Sequence, residues 1–308
     1  MEEGLQRRLG NERGEREFGA ALASFLEGGE ARLLADAGLE RRADSHGGEG
    51  LFATRSLPQG FTLRLPRAFA LDAALACRTK LGSALRGAPR PRSATGAQQQ
   101  PFTAEEVFLA VLADARPAED HRAHLPSHHP AHSLGPAATS LLAPYAARLP
   151  QVSPDAASWA ASARRLLAGT DLGKALMGAE PELPALVGRL QQVAAGAHIS
   201  LESLRWARGM SLSRRFPAWV GSDSAGEDDA AEGVWGTLGT LLPVADALNH
   251  RVGSGTTRIS IEGCEVLVGN SSPLRVGDEA TISYGDTKSN EELLGEPAFP
   301  VICTHPSL

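Results

Sequence analysis

Apolar side chains recur at two periods along this chain, and the period switches twice. Phe18, Leu22, Phe25 and Leu26 fall at helical spacing and predict a helix from Phe18 to Leu34, interrupted at Gly28-Gly29. From 37 to 72 the texture changes. Short apolar pieces such as Leu51-Phe52-Ala53 lie between Gly47-Gly48-Glu49-Gly50 and Leu57-Pro58-Gln59-Gly60, and Phe61 to Leu65 alternates apolar and polar positions. That pattern predicts short strands joined by tight turns. Helical periodicity returns between about 76 and 235. Thr103-Ala104-Glu105-Glu106 ahead of Val107, Leu109 and Leu112 is a capping-box start. Ser153-Pro154-Asp155 opens another helix through Trp159, Ala163 and Leu166, and Glu180 to Val193 and Ser200 to Leu212 read as two more. Two loops break this region: 87–101, rich in Pro, Arg, Ser and Gln, and 221–233, acidic and rich in small residues. From 237 onward strands return. Thr257 to Ile261 and Glu265 to Val268 flank Glu262-Gly263-Cys264 as a hairpin, and Ala280 to Tyr284 forms a further strand.

The order is β-rich, helical, then β-rich, with no internal repeat. It predicts an α+β fold in which one β-rich domain of short strands, residues 18–294, is split by a long helical insertion at about 76–235. A polar, mobile N-terminus (1–17) precedes it and a divergent tail (295–308) follows.

Composition narrows the function classes. The 308 residues are 42% hydrophobic and 21% charged, which is ordinary for a globular protein. A net charge of −6 supplies no global basic field to hold nucleic acid. No apolar run approaches the roughly 20 residues that a spanning helix needs. The Glu- and Arg-rich stretch from Met1 to Gly19 lacks the apolar core of a signal peptide. Cys77, Cys264 and Cys303 are odd in number and far apart, so they form neither a disulfide framework nor a CxxC zinc site. A monomer in a reducing compartment is expected, and a cytoplasmic, nuclear or plastid home each fits.

One cluster suggests metal. His121, His124, His128, His129 and His132 fall within twelve residues. Pro126 and Pro130 break any helix that would set i,i+4 ligand spacing, and only Glu119 and Asp120 stand nearby to complete a shell. A solvated loop and no metal are expected.

Three separated pieces carry the remaining chemistry. The first is Gly48-Glu49-Gly50-Leu51-Phe52-Ala53-Thr54. The second is Leu241-Leu242-Pro243-Val244-Ala245-Asp246-Ala247-Leu248-Asn249-His250. The third is Val276-Gly277-Asp278-Glu279-Ala280-Thr281-Ile282-Ser283-Tyr284-Gly285, with Ser289-Asn290-Glu291-Glu292-Leu293-Leu294 after it. Taken singly they have ordinary readings: a tight turn before a strand, a polar pair capping a helix end, a core tyrosine at a strand end. Together they resemble the SET domain. The helical insertion, with Tyr145-Ala146-Ala147-Arg148-Leu149-Pro150, Trp206-Ala207 and Ser213-Arg214-Arg215-Phe216 inside it, is similar to one branch, that of the Rubisco large-subunit methyltransferase and the actin-histidine methyltransferase. The resemblance covers Phe18 to Leu294.

That resemblance implies a β-rich SET fold and an S-adenosylmethionine-dependent protein N-methyltransferase, acting on a lysine or less often a histidine of a protein substrate, without nucleic acid or membrane partners. It implies that Gly47, Gly48, Glu49, Gly50 and Leu51 contact the cofactor's methionine portion through the main chain. Asp246, Asn249 and His250 hold the cofactor, Arg214 (with Arg215 as the alternative register) pairs with its carboxylate, Asn290 supports the site, and Tyr284 orients the acceptor amine. A guanidinium fork suits a carboxylate. A lysine acceptor must lose a proton from an amine of reference pKa about 10.4, which desolvation and a nearby sulfonium both favour. The family usually continues past Asn-x-x-Leu into a short aromatic segment and a helical substrate-binding domain. Here Leu294-Gly295-Glu296-Pro297-Ala298-Phe299-Pro300 follows, and the sequence ends at Leu308. That departure implies a second reading, a SET fold that binds a partner without catalysing.

Overall fold

The computed structural model describes residues 11–44, 48–88, 101–116, 141–152, 159–174, 182–194, 199–216, 239–251, 257–270 and 272–282, with Leu9, Ala197 and Val220. The first helix starts six residues earlier than its apolar pattern predicts, because Asn11 caps it by accepting from Gly14 N at 2.9 Å. Helix α1 spans Glu12–Ser24, a π-helical turn Phe25–Gly29 follows, and α2 spans Glu30–Ala37. Gly28-Gly29 therefore does not break the helix. The buried positions are Gly14, Phe18, Leu22, Leu26, Glu30 and Leu34, one every four residues. A strict four-residue repeat drifts about 40° per step around a 3.6-residue helix. The π turn inserts an extra residue and draws that drift back, so both halves bury the same face.

Strands β1 (Leu39–Ala43), β2 (Glu49–Ala53) and β3 (Thr62–Pro66) follow. Helices α3 (Ala73–Arg78), α4 (Lys80–Gly87), α5 (Ala104–Asp114), α6 (Ala143–Ala146), α7 (Glu182–Val193) and α8 (Leu201–Arg214) form the insertion, with a short exposed turn of helix at Ala161–Arg165. The expected capping box holds on α5, where Glu106 N donates to the Thr103 hydroxyl at 3.2 Å and Thr103 N donates to Glu106 at 2.8 Å. Then come β4 (Arg215–Phe216), β5 (Thr240–Leu241), a 3-10 turn Ala245–Ala247, β6 (Asn249–His250), β7 (Thr257–Glu262), β8 (Glu265–Asn270) and β9 (Glu279–Ile282). The predicted hairpin is β7–β8, with Glu262 opposite Glu265 and Gly263 at φ 58°, the left-handed conformation that a two-residue turn asks of its first residue.

Sheet pairing joins the two β-rich parts of the chain. One sheet has the order β1-β2-β9-β6 and another β3-β8-β7. β2 meets β9 antiparallel at Leu51–Ala280, and β6 runs parallel to β9 at Asn249–Thr281. The insertion leaves and re-enters at neighbouring points, because Leu71 exchanges both backbone hydrogen bonds with Leu241 at 2.8 Å. Two apolar clusters result. Phe18, Leu22, Leu112, Trp206 and Met210 centre the helical one, and Leu39, Leu51, Leu65, Phe216 and Val266 the β one. Phe25 packs against both and stacks on Phe69 with ring centroids 4.7 Å apart.

Candidate functional site

Where the β half meets the insertion, a cavity of about 280 Å³ opens, at the small end of ligand clefts, which run from roughly 300 Å³ upward. The start of β2 gives it Gly48 and Glu49, β1 gives Arg41, the segment after α6 gives Arg148, Leu149 and Pro150, and the end of α8 gives Arg214. The turn after β5 completes the wall with Val244, Asp246 and Ala247.

Asp246 is the hub of this wall. Its side chain is only 4% exposed. Its Oδ2 accepts from the Tyr145 hydroxyl at 2.7 Å and from Arg214 Nη1 at 3.4 Å, while its backbone carbonyl accepts from the same Nη1 at 3.0 Å. Burial pushes the Tyr145 phenol well above its ordinary value, and the adjacent Asp246 carboxylate pushes the same way. Tyr145 is thus a neutral donor fixed on a buried anion. Backbone strain sits beside it: Val244, buried and β-branched, adopts φ 79° and ψ −53°. Such a conformation costs about 1–3 kcal/mol and persists only where the surroundings enforce it. Ala247 N closes the turn onto Val244 O at 3.1 Å, which sets the short 3-10 segment carrying Asp246.

A second buried carboxylate lies behind Arg41 and Arg148. Glu30, on the apolar stripe of α2, has a side chain 4% exposed. It accepts from Arg41 Nε at 2.7 Å and pairs with Arg148 Nη1. Arg41 also donates from Nη1 to Glu49 at 3.1 Å. Burial draws the Arg41 guanidinium down, and Asp246 with Glu30 more than reverse that, so the net shift is upward.

Asn249 stands behind Glu49. Its Nδ2 donates to Glu279 Oε1 at 2.7 Å and lies 3.1 Å from Glu49 O and 3.2 Å from Asp44 Oδ2. A Cβ on Gly50 would fall 2.6 Å from Glu279 Oε1 and 3.1 Å from Asn249 Nδ2, so a side chain there would displace the end of Glu279 from Asn249. His250 Nδ1 lies 3.3 Å from Ile282 O.

The structure brings Gly48, Glu49, Arg214 and Asp246 together around one cavity and sets Asn249 and Gly50 directly behind it. Leu51, in the β core and paired with Ala280, and His250, paired along β9, are not among the lining residues. Of the two candidate registers for the arginine, Arg214 lines the cavity, whereas Arg215 turns toward Glu105 at 3.9 Å and packs over Gly239. Gly47, Tyr284, Asn290 and the histidine-rich stretch at 121–132 lie outside the described residues. Arg41 and Glu30 lie outside the motifs singled out in the sequence, and Arg148 lies within one of them, which assigns it no role.

No protein-family profile and no curated relative matches the chain. Among solved structures it is similar to the SET domain of LSMT bound to lysine and AdoHcy, at TM-score 0.59 and 17% identity over 87% of this chain and 56% of that one. It is similar to Rubisco LSMT bound to AdoMet, at TM-score 0.60 and 16% identity over 89% of this chain and 57% of that one. A third likeness is to Rubisco LSMT bound to sinefungin and monomethyllysine, at TM-score 0.59 and 17% identity over 86% and 54%. The chain spans a little over half the length of these structures. At such identities the likeness speaks to architecture, and the architecture of this chain is the SET fold, with a helical insertion between its two β halves.

Proposed function

We propose that this chain is an S-adenosylmethionine-dependent N-methyltransferase whose acceptor is a lysine side chain of a protein, with histidine as the alternative acceptor. One observation carries this reading. The cavity is walled by Gly48 and Glu49 on one side and by an arginine fixed to a buried aspartate on the other, in a fold whose solved relatives hold AdoMet, AdoHcy and sinefungin.

The residues present fit such a ligand. Arg214 uses Nη1 for its internal contacts, so Nε and Nη2 have no protein acceptor among the described residues and can meet a carboxylate. Gly48 offers backbone without a side chain, and Asn249 offers amide and carbonyl together. When bound, the cofactor supplies an electrophilic methyl on a sulfonium. The chain's part is to hold the amino-acid end of that ligand at Arg214, to support it from Asn249 through the Glu49 backbone, and to exclude water at the acceptor. Tyr284 is assigned the orienting hydrogen bond to the acceptor amine.

Calorimetry of S-adenosylmethionine binding to the intact chain and to Asn249→Ala tests the reading. Binding in the first and its loss in the second support it. A chain that binds no S-adenosylmethionine in calorimetry loses this function, and the non-catalytic partner-binding reading replaces it.

A further inference from the structure

Three guanidinium groups line the cavity, and each keeps at least one N–H group without a protein acceptor among the described residues. Arg214 is held through Nη1 by Asp246. Arg41 is held through Nε by Glu30 and through Nη1 by Glu49. Arg148 is held through Nη1 by Glu30 and the Leu26 carbonyl. Among the described residues, Nε and Nη2 of Arg148 have no protein acceptor, the same pattern as in Arg214. The wall also carries the carboxylates of Glu49 and Asp246, and Glu30 lies behind it against Arg41 and Arg148, so arginines and acids balance. Net charge therefore does not draw an anion here. Donor edges left unfilled by the protein do.

Arg148 belongs to the insertion and Glu30 to the leading helix. Glu30 occupies a position on the apolar stripe where the repeat calls for a hydrophobic residue. Its burial there costs free energy that only its two arginine partners offset. A leucine would serve the core better, so the position of Glu30 makes sense as an anchor for Arg41 and Arg148. Tyr145, one turn before Arg148, joins the same wall to Asp246 and hence to Arg214.

We propose that Arg148, positioned by Glu30, is a second determinant of ligand choice in this cavity, selecting ligands that end in a carboxylate. The inference rests on the S-adenosylmethionine reading and deepens it: two arginines of the insertion, one after α6 and one at the end of α8, read one anionic end. Arg148 acts by touching the ligand, and Glu30 acts only through Arg148 and Arg41.

The test compares S-adenosylmethionine with decarboxylated S-adenosylmethionine, which keeps the nucleoside, sulfonium and amine and lacks only the carboxylate. Calorimetry is run on the wild-type chain, Arg148→Met and Arg148→Lys, with thermal unfolding as the control for folding. Arg148 is about a third exposed, so both variants are expected to fold. Arg148→Met is expected to weaken S-adenosylmethionine by roughly tenfold, in keeping with one lost charge-assisted contact that is partly open to solvent, and to leave the decarboxylated ligand unchanged. Arg148→Lys should fall between, since it keeps the charge and loses the fork. Equal weakening of both ligands assigns Arg148 a shape role and overturns the proposal, as does no change in either. A wild-type chain that binds both ligands with the same affinity overturns it while sparing the parent reading. A wild-type chain that binds neither overturns both.

Discussion

The Tyr145 hydroxyl donates to Asp246 Oδ2 at 2.7 Å, and this contact fastens the helical insertion to the strained turn after β5. Tyr145→Phe removes the donor from a buried carboxylate and leaves the ring in place. We expect a loss of about 1–3 kcal/mol, the desolvation cost of a polar group left short of a partner. Chemical denaturation should show the midpoint falling at unchanged slope. Unchanged stability would mean that Asp246 does not depend on this phenol.

Adjacent arginines on α8 and β4 should separate cleanly. Arg214→Met is expected to weaken S-adenosylmethionine by about tenfold or more, because a charge-assisted contact is lost. Arg215→Met should leave that affinity unchanged, since Arg215 faces Glu105 across 3.9 Å away from the cavity. Titration calorimetry on both variants decides the matter. The reverse order of effects would reassign the register.

Gly50→Ala tests the packing behind the cavity. The new methyl would lie 2.6 Å from Glu279 Oε1, so Glu279 must move and release Asn249. The clash is with the free end of a flexible side chain, so its own cost is small and the main loss is the Glu279–Asn249 hydrogen bond, about 1 kcal/mol. The melting temperature should drop and S-adenosylmethionine affinity should drop with it, whereas Gly87→Ala, where a Cβ meets nothing within 4 Å, should spare the affinity.

Burial pushes the Cys77 thiol up to about 11. At pH 8 about one part in a thousand is thiolate, so alkylation by iodoacetamide should be slow there and fast at exposed Cys264. The protonated form is the one the fold favours. This stabilisation is complete below the thiol's ordinary value near 9 and is lost as pH rises from there through about 11. Mass spectrometry of alkylated peptides reads the first effect, and denaturation midpoints from pH 8 to 11 read the second. Equal labelling of the two cysteines would contradict the burial.

Much of this architecture was legible from residue patterns, and the reasons differ by element. The β7–β8 hairpin and the α5 cap announced themselves because turn and cap chemistry is local: Gly263, Thr103 and Glu106 act on residues within three positions. The pieces carrying Gly48, Asp246 and Asn249 were legible as motifs, although nothing in their spacing says that Leu51 faces Ala280. Glu30 was missed for a physical reason. Reading Gly28-Gly29 as a break ended the periodicity just before the position where a carboxylate replaces an apolar residue, and only the π turn shows that the stripe continues. Arg41 lies in a short, unpatterned strand and acquires its place through Glu30, whereas Arg148 lies within the Tyr145-to-Pro150 motif, whose spacing says nothing of a partner in the leading helix.

The pairing of the two β-rich parts carries a consequence for folding. Asn249 and Glu49 meet across 200 residues, and closing an unstructured loop of that length costs about 5 kcal/mol of chain entropy. The insertion removes most of that cost. Helices α3 and α8, its first and last, both pack on α5, so once its own core forms, Leu71 is already beside Leu241. The helical segment is then expected to act as a folding template as well as a wall, with the cavity at its border forming after that core.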